Sequence, residues 1–262
     1  MGRRSIQAMR GLITGASSGI GRELTRQLAA GGAQLLVTAR RAEPLDSLVE
    51  ASQDMPGRVF AMAGDVTDPD HRARLSDAVR QRWGAFDLLV NNAGVGAVGP
   101  FAEADPERLR EVFELNFFAA VELIRGTLPL LRVGRTPVIV NIGSVLGHRA
   151  VPRKSEYCAS KFALHGFSDS LRAELAPEGI GVLLVSPSTT RTEFFDRLLE
   201  GADGVAASSS RVASAGSVAR HTIRAIRRGR DEIILTPGGK LLVWLDRLCP
   251  TLANRLIARY AP

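Results

Sequence analysis

Apolar residues along the chain gather into short runs, and stretches of helical periodicity separate them. The runs cover residues 9–14, 34–39, 58–63, 86–90, 137–142, 181–186 and 232–235. Several, such as Gly181-Val-Leu-Leu-Val-Ser186, are continuously apolar rather than alternating. A strand covered on both faces has this pattern, whereas a strand with one wet face alternates. Helical patterns follow the first run to about Ala30 and also span residues 106–131 and 157–175. Strand–helix alternation predicts an α/β fold: a doubly wound, roughly seven-stranded parallel sheet with helices on both faces. The pattern covers about residues 8–235 of what reads as one domain, 1–262. Ligands of such sheets bind at the carboxyl ends of the strands, so the residues just after each run carry the functional information.

The first strand runs into Thr14-Gly15-Ala-Ser17-Ser18-Gly19-Ile20-Gly21 and then a helix. Glycines allow a sharp turn and close approach of backbone to a pyrophosphate, and the helix start offers unpaired N–H groups. The second strand ends in Ala39-Arg40-Arg41, where a sheet that binds NAD usually presents a carboxylate to the ribose 2′-hydroxyl. Two guanidiniums suit a 2′-phosphate instead, so NADP(H) is expected over NAD(H). Asp65 and Val66 follow the third strand, with Asp65 placed either to accept from an adenine amino group or to cap the next helix. Asn91-Asn92-Ala93-Gly94 follows the fourth, where Asn can tie strand ends together and Ala-Gly lets backbone pass close to a ribose.

The fifth strand leads to Ser144, and Tyr157-Cys-Ala-Ser-Lys161 opens the long helix after it. Tyr157 and Lys161 are four apart and share one helix face. An ammonium beside a phenol favours the phenolate, which would let Tyr157 exchange a proton with a carbonyl or alcohol oxygen while the Ser144 hydroxyl bonds the same oxygen.

Composition narrows the alternatives. Hydrophobic residues make up 45% and charged residues 23%, as in a globular chain. The net charge of +7 raises nucleic-acid binding, but the bases are dispersed and aromatics are few, so no such partner is expected. Of 34 bases only Lys154, Lys161 and Lys240 are lysines, and the arginine excess reads as solvated surface. Two cysteines, Cys158 and Cys249, make neither a disulfide framework nor a zinc site, and no metal is expected. Neither a secretory signal nor an 18-residue apolar span is recognisable, which leads to the expectation of a reduced, cytoplasmic protein.

Taken together, Thr14-Gly-x-x-x-Gly-x-Gly21, Asn91-Asn-Ala-Gly94, Ser144 and Tyr157-x-x-x-Lys161 resemble, in order and spacing, the motifs of the classical short-chain dehydrogenase/reductase family. The resemblance implies Tyr157 as acid/base, Ser144 as carbonyl-positioning hydroxyl and Lys161 as the residue that lowers the tyrosine pKa and holds the nicotinamide ribose. It also implies Asn116 as the fourth catalytic residue, anchoring a water, and a homodimer or homotetramer. After the sixth strand the family's Pro-Gly is here Pro187-Ser188. Thr192 keeps a cofactor-contacting position, and the backbone of Thr190 is placed to hold the carboxamide.

The substrate is not written in the motifs. Residues 194–217 are expected to form a lid, and Val95–Val98, Val145, Leu146, His148 and Val151 the remaining pocket, with His148 read as a solvated loop residue. The tail, about 238–260, repeats leucines at helical spacing between arginines, and Pro250 should split it into two helices. It suits packing on its own domain, a partner subunit or an anionic membrane surface. An NADP(H)-dependent carbonyl reductase or alcohol dehydrogenase is the leading expectation. A non-catalytic NADP-binding scaffold that recruits partners through the tail is the rival. A serine hydrolase at Ser144 lacks the Gly-x-Ser-x-Gly elbow.

Overall fold

The computed structural model describes residues 3–188, 190–191 and 213–259. Strands β1 (Arg10–Thr14), β2 (Gln34–Ala39), β3 (Arg58–Ala63), β4 (Leu88–Asn91), β5 (Val138–Ile142) and β6 (Gly181–Ser186) alternate with helices α1 (Gly19–Ala30), α2 (Ala42–Glu50), α3 (Pro69–Trp83), α4 (Pro106–Phe113), α5 (Ala119–Arg132) and α6 (Ser155–Leu175). A two-residue ladder of β7 (Thr190–Arg191) and β8 (Ala213–Ser214) precedes α7 (Ala215–Arg228), β9 (Glu232–Ile234), α8 (Pro237–Leu248) and α9 (Pro250–Ala258).

The large sheet has seven parallel strands in the order β3-β2-β1-β4-β5-β6-β9. Successive strand residues feed opposite faces. Ile13, Val37, Val90, Val140 and Val185 join Leu24, Leu28, Leu45, Leu48 and Ile226 in one core. Leu12, Leu36, Leu89, Ile139 and Val182 join Leu75, Val79, Leu123, Leu131 and Leu171 in the other. The uninterrupted apolar runs follow from this double burial. Among the described residues no helix is long and apolar enough to cross a membrane.

Local chemistry sets the helix ends. Asp68 caps α3 by accepting from Asp70 N, Pro69 occupies its first turn, and Gly84 closes it at φ 66°. Asp105-Pro106 starts α4 and Thr236-Pro237 starts α8 in the same way. Two expectations change here. The 106–131 pattern is not one helix: a π turn, Glu114–Phe118, lies between α4 and α5. The segment expected as a lid, 194–217, is regular structure at its end: residues 213–217 are strand β8 and the first turn of α7, and residues 194–212 lie outside the described residues.

Asp87, buried just ahead of β4, ties the amino ends of the strands together. It accepts from Arg10 N (3.0 Å), Nε (3.0 Å) and Nη2 (2.9 Å) and from Arg135 N (2.8 Å). Burial alone would raise its pKa, but these donors outweigh it and hold the carboxyl below its ordinary value. Asp87→Asn should therefore cost about 3 kcal/mol of unfolding free energy at pH 7. A depressed folded-state pKa gives stability that is present above the ordinary carboxylate range and lost in acid, so the gap to wild type should narrow as pH falls. Urea titrations at neutral and acid pH measure both, and equal stability at pH 7 would show that Asp87 carries no such load.

Candidate active site

Strand order reverses at β1: β2 and β3 extend the sheet one way, and β4, β5, β6 and β9 the other. A crevice opens at the carboxyl ends, the place where such sheets bind ligands. It is lined by Gly15, Ser17, Ser18, Gly19, Ile20, Ala39, Arg40, Arg41, Gly64, Asp65, Val66, Asn92, Ala93, Gly94, Leu115, Ile142, Gly143, Ser144, Tyr157, Lys161, Pro187 and Thr190. The residues expected to bind the cofactor after successive strands thus face one cavity, except Gly21, which does not line it and is buried against Gly15 O. Asn116 lies behind it, and Thr192 falls outside the described residues.

At the β1 end, Gly15 and Gly19 have φ of 65° and 53°, conformations that suit glycine. A Cβ on Gly15 would stand 2.8 Å from Ala93 Cα, and one on Gly21 only 2.4 Å from Gly15 O. The turn therefore packs against the 92–93 backbone and could not close around side chains. Asn92 Nδ2 donates to Thr14 O and Gly15 O (both 3.0 Å), and the N–H groups of Asn92 and Ala93 donate to Thr14 Oγ1 (both 3.0 Å). Deeper in the sheet, Asn91 Nδ2 donates to Asn141 Oδ1, and Asn141 Nδ2 donates to Ser168 Oγ (both 2.9 Å). Asp65 accepts from Thr67 N and Oγ1 (both 2.9 Å) and leaves the α3 cap to Asp68.

Arg40 and Arg41 are exposed at the β2 end of the crevice. An adjoining hollow is lined by Ser17, Arg22, Arg41, Glu43, Pro44 and Ser47. Arg22 escapes a reading that looks only after strands, since it lies in α1 and reaches Pro44 O at 2.7 Å through the fold. Gly64, directly after β3, was open to that reading. A Cβ there would stand 2.2 Å from His71 Nδ1.

At the other end, Ser144 leads a short 3₁₀ turn and its Oγ accepts from Leu146 N at 3.1 Å. The same hydroxyl hydrogen-bonds Tyr157. Lys161, one turn on in α6, is buried and donates from Nζ to Ile142 O at 2.9 Å. Nζ stands 5.8 Å from the centre of the Tyr157 ring. Asn116, in the π turn, donates to Val95 O (2.9 Å) and Ser160 Oγ (3.0 Å) and accepts from Val95 N (2.8 Å). A Cβ on Gly94 would meet Asn116 Oδ1 at 3.0 Å and Lys161 Nζ at 3.7 Å, so Gly94 keeps open the space where the two converge. π turns recur at functional sites because they turn one side chain out of the helical series.

The electrostatics differ from the sequence expectation. Removal from water pushes Tyr157 up to about 12, opposed by the Ser144 hydrogen bond, although the side chain keeps partial exposure to the cleft. Burial lowers Lys161 to about 8. In the protein alone, desolvation outweighs any help from the ammonium, and Tyr157 is held as the neutral phenol.

The Ser144 loop is braced from below. Val145 N donates to Pro187 O at 2.9 Å. His148, expected in solvent, is buried: its Nε2 lies 2.9 Å from Ser186 Oγ and 3.1 Å from Glu232 Oε1, and its ring packs on His165 at 4.2 Å. The His148 imidazole beside it, against the cost of burial, holds the Glu232 carboxyl below its ordinary value. Thr190 is buried and its hydroxyl donates to Ser188 O at 2.9 Å, which ties this departure from the family pattern into the local turn. Among the expected pocket residues, Ala97, Val98 and Val145 are buried, while Val95, Leu146 and Val151 keep some exposure.

The chain is similar to known proteins in both sequence and fold. The family model "short chain dehydrogenase" matches residues 11–203. The cattle (Bos taurus) protein "Dehydrogenase/reductase SDR family member 7B" is 33% identical over 262 residues, covering 95% of this chain and 80% of that one. A short-chain dehydrogenase/reductase of Burkholderia phymatum, solved with NAD, superposes with a TM-score of 0.85 at 26% identity, covering 95% and 96% of the two chains. A short-chain dehydrogenase of Burkholderia cenocepacia J2315, solved with NADP, gives 0.80 at 28%, covering 90% and 100%. The chain belongs to the short-chain dehydrogenase/reductase family, whose fold serves hydride transfer with a nicotinamide cofactor.

The lowered Lys161 value is also a statement about stability. Between pH 8 and the ordinary lysine range the unfolded chain holds a proton that the folded chain releases, so wild-type stability rises there. Lys161→Met, even after losing the bond to Ile142, should be more stable than wild type at pH 7 by about 2 kcal/mol. That advantage should shrink by pH 10. Denaturant unfolding of the cofactor-free proteins at both pH values tests this, and a less stable variant at pH 7 would refute the desolvation argument.

Proposed function

We propose that this chain is an NADP(H)-dependent oxidoreductase acting on a carbonyl or alcohol, with Tyr157 as its acid/base. The meeting of Ser144, Tyr157 and Lys161 at one end of a glycine-walled crevice carries the reading. The crevice fits a dinucleotide: the Gly15–Gly21 turn would take the pyrophosphate, Asp65 and Val66 the adenine side, Asn92–Gly94 a ribose, and Pro187, Thr190 and Lys161 the nicotinamide side. When bound, the cofactor supplies or takes the hydride. The chain's own residues manage the proton. Tyr157, held as the neutral phenol, is ready to donate to a carbonyl oxygen. Ser144 Oγ, already bonded to Tyr157, can bond the same oxygen as charge gathers on it. Lys161, as the ammonium, stabilises the phenolate left behind and, fixed by Ile142 O, can return a proton to Tyr157 and be recharged by a water in the space it shares with Asn116.

Arg40 and Arg41 at the end of β2, with Arg22 and Ser17 beside them, support NADP(H), since guanidiniums meet a 2′-phosphate with paired hydrogen bonds. Solved relatives hold NAD in one case and NADP in another, so the arginines carry this choice.

Tyr157→Phe should lower kcat on a responsive ketone or aldehyde by about 10³-fold or more while dinucleotide affinity stays within a few-fold. Full turnover by that variant would sink the mechanism. In fluorescence titrations NADPH should bind more tightly than NADH. Arg40→Ala combined with Arg41→Ala should weaken NADPH by about 10- to 100-fold and leave NADH nearly unchanged. Equal affinities in the wild type would refute the coenzyme assignment.

A further inference from the structure

The two tail helices have a fixed inner side and an uncovered outer side. Inside, Gly239, Val243 and Ala253 are buried, and a Cβ on Gly239 would stand 2.7 Å from Val145 Cγ1, so α8 lies directly on the loop after Ser144. Arg149 pins both helices, donating to Asp246 Oδ1 (2.7 Å) in α8 and Asn254 Oδ1 (2.6 Å) in α9. With that side committed, Leu241 (69% exposed), Trp244 (56%) and Leu248 (72%) point outward at one-turn intervals from α8, and Leu252 and Leu256 follow on α9. These are five of the ten exposed large apolar side chains among the described residues, gathered within two short helices. A cluster of this kind marks a contact surface.

The rim of the cluster is cationic. Lys240, Arg247, Arg255 and Arg259 are exposed, and the one acid between residues 237 and 259, Asp246, is neutralised by Arg149. This charge pattern distinguishes between occupants. A two-fold contact with a second copy would set the basic rim against itself. A sheet of anionic headgroups complements it, while the leucines enter the acyl boundary and the Trp ring takes the interface it prefers.

We propose that the outer face of α8 and α9 docks this protein on an anionic lipid surface. Docking would hold the Ser144 loop beside the bilayer, a position from which apolar compounds dissolved in lipid have a short path to the cleft. The surface itself is independent of the activity proposed above.

The test is co-sedimentation of the full chain with vesicles of phosphatidylcholine alone and of phosphatidylcholine mixed with phosphatidylglycerol, at low and high salt. Binding is expected to the anionic vesicles only, weakened by salt. Lys240→Glu, Arg247→Glu and Arg255→Glu should each weaken it at least fivefold, as ~1 kcal/mol per basic residue implies. Leu241→Ser with Leu248→Ser should abolish it without changing the melting temperature. The chain has two tryptophans, so Trp83→Phe leaves Trp244 as reporter, and its emission should shift to the blue on anionic vesicles. Absence of anionic-selective binding would overturn the proposal, as would binding that survives the double serine variant. So would a lipid-free dimer that Leu248→Ser converts to monomer, since a second copy would then cover the face.

Discussion

Beyond Ile13 and Val90 the β1–β4 ladder ends, and the segments that follow lead to β2 on one side and β5 on the other. Something other than sheet hydrogen bonding must hold the crevice to width, and the Thr14–Asn92 clamp does so. One hydroxyl accepts two backbone N–H groups, and one side-chain amide spans two carbonyls. The clamp sets how near the glycine turn lies to the 92–94 backbone. That distance governs what can lie between the ends of β1 and β4, and the fit of Gly94 beneath Asn116 and Lys161 continues from it. The Asn91–Asn141–Ser168 chain carries the same restraint across β5 to α6, the helix that bears Tyr157.

The arginine excess has a structural meaning that composition conceals. Arg4 is buried and donates to Thr136 O and Pro137 O. Arg72 donates to Val66 O and Thr67 O, and Arg172 to Val182 O and Asp231 O. Arg108 makes a buried pair with Glu156, next to Tyr157. A planar fork with several donors can satisfy two carbonyls at once where loops meet, which a lysine does less well. Solvated surface is therefore an incomplete account of these residues.

Much of the architecture was legible because the signals are local. Continuous apolar runs report burial on both faces, Asp-Pro and Thr-Pro pairs announce helix starts, and Pro250 separates α8 from α9. Site residues placed directly after strands were legible for the same reason, since doubly wound topology collects those positions in one crevice. Contacts assembled from distant segments were not. His148, Ser186 and Glu232 come from a loop and two strands, and no spacing in the sequence foretells that the imidazole is buried among them. The direction of the Tyr157 shift escaped too. The Tyr-x-x-x-Lys spacing reveals the nearby ammonium but not the depth of burial, and burial is the larger effect.

The buried Lys161 has one more consequence. An amine with a pKa of about 8 is about one-tenth unprotonated at pH 7, far more than an exposed lysine. An unprotonated amine is a nucleophile, and aldehydes condense with nucleophilic amines. A cleft that admits carbonyl compounds while holding such a group risks capturing them covalently. Ile142 O, 2.9 Å from Nζ, holds the amine within the wall at the end of β5, with the Tyr157 ring standing nearby. That bond engages an N–H and leaves the nitrogen lone pair free, so the direction in which it points the amine, rather than the bond itself, decides whether Lys161 meets a carbonyl compound.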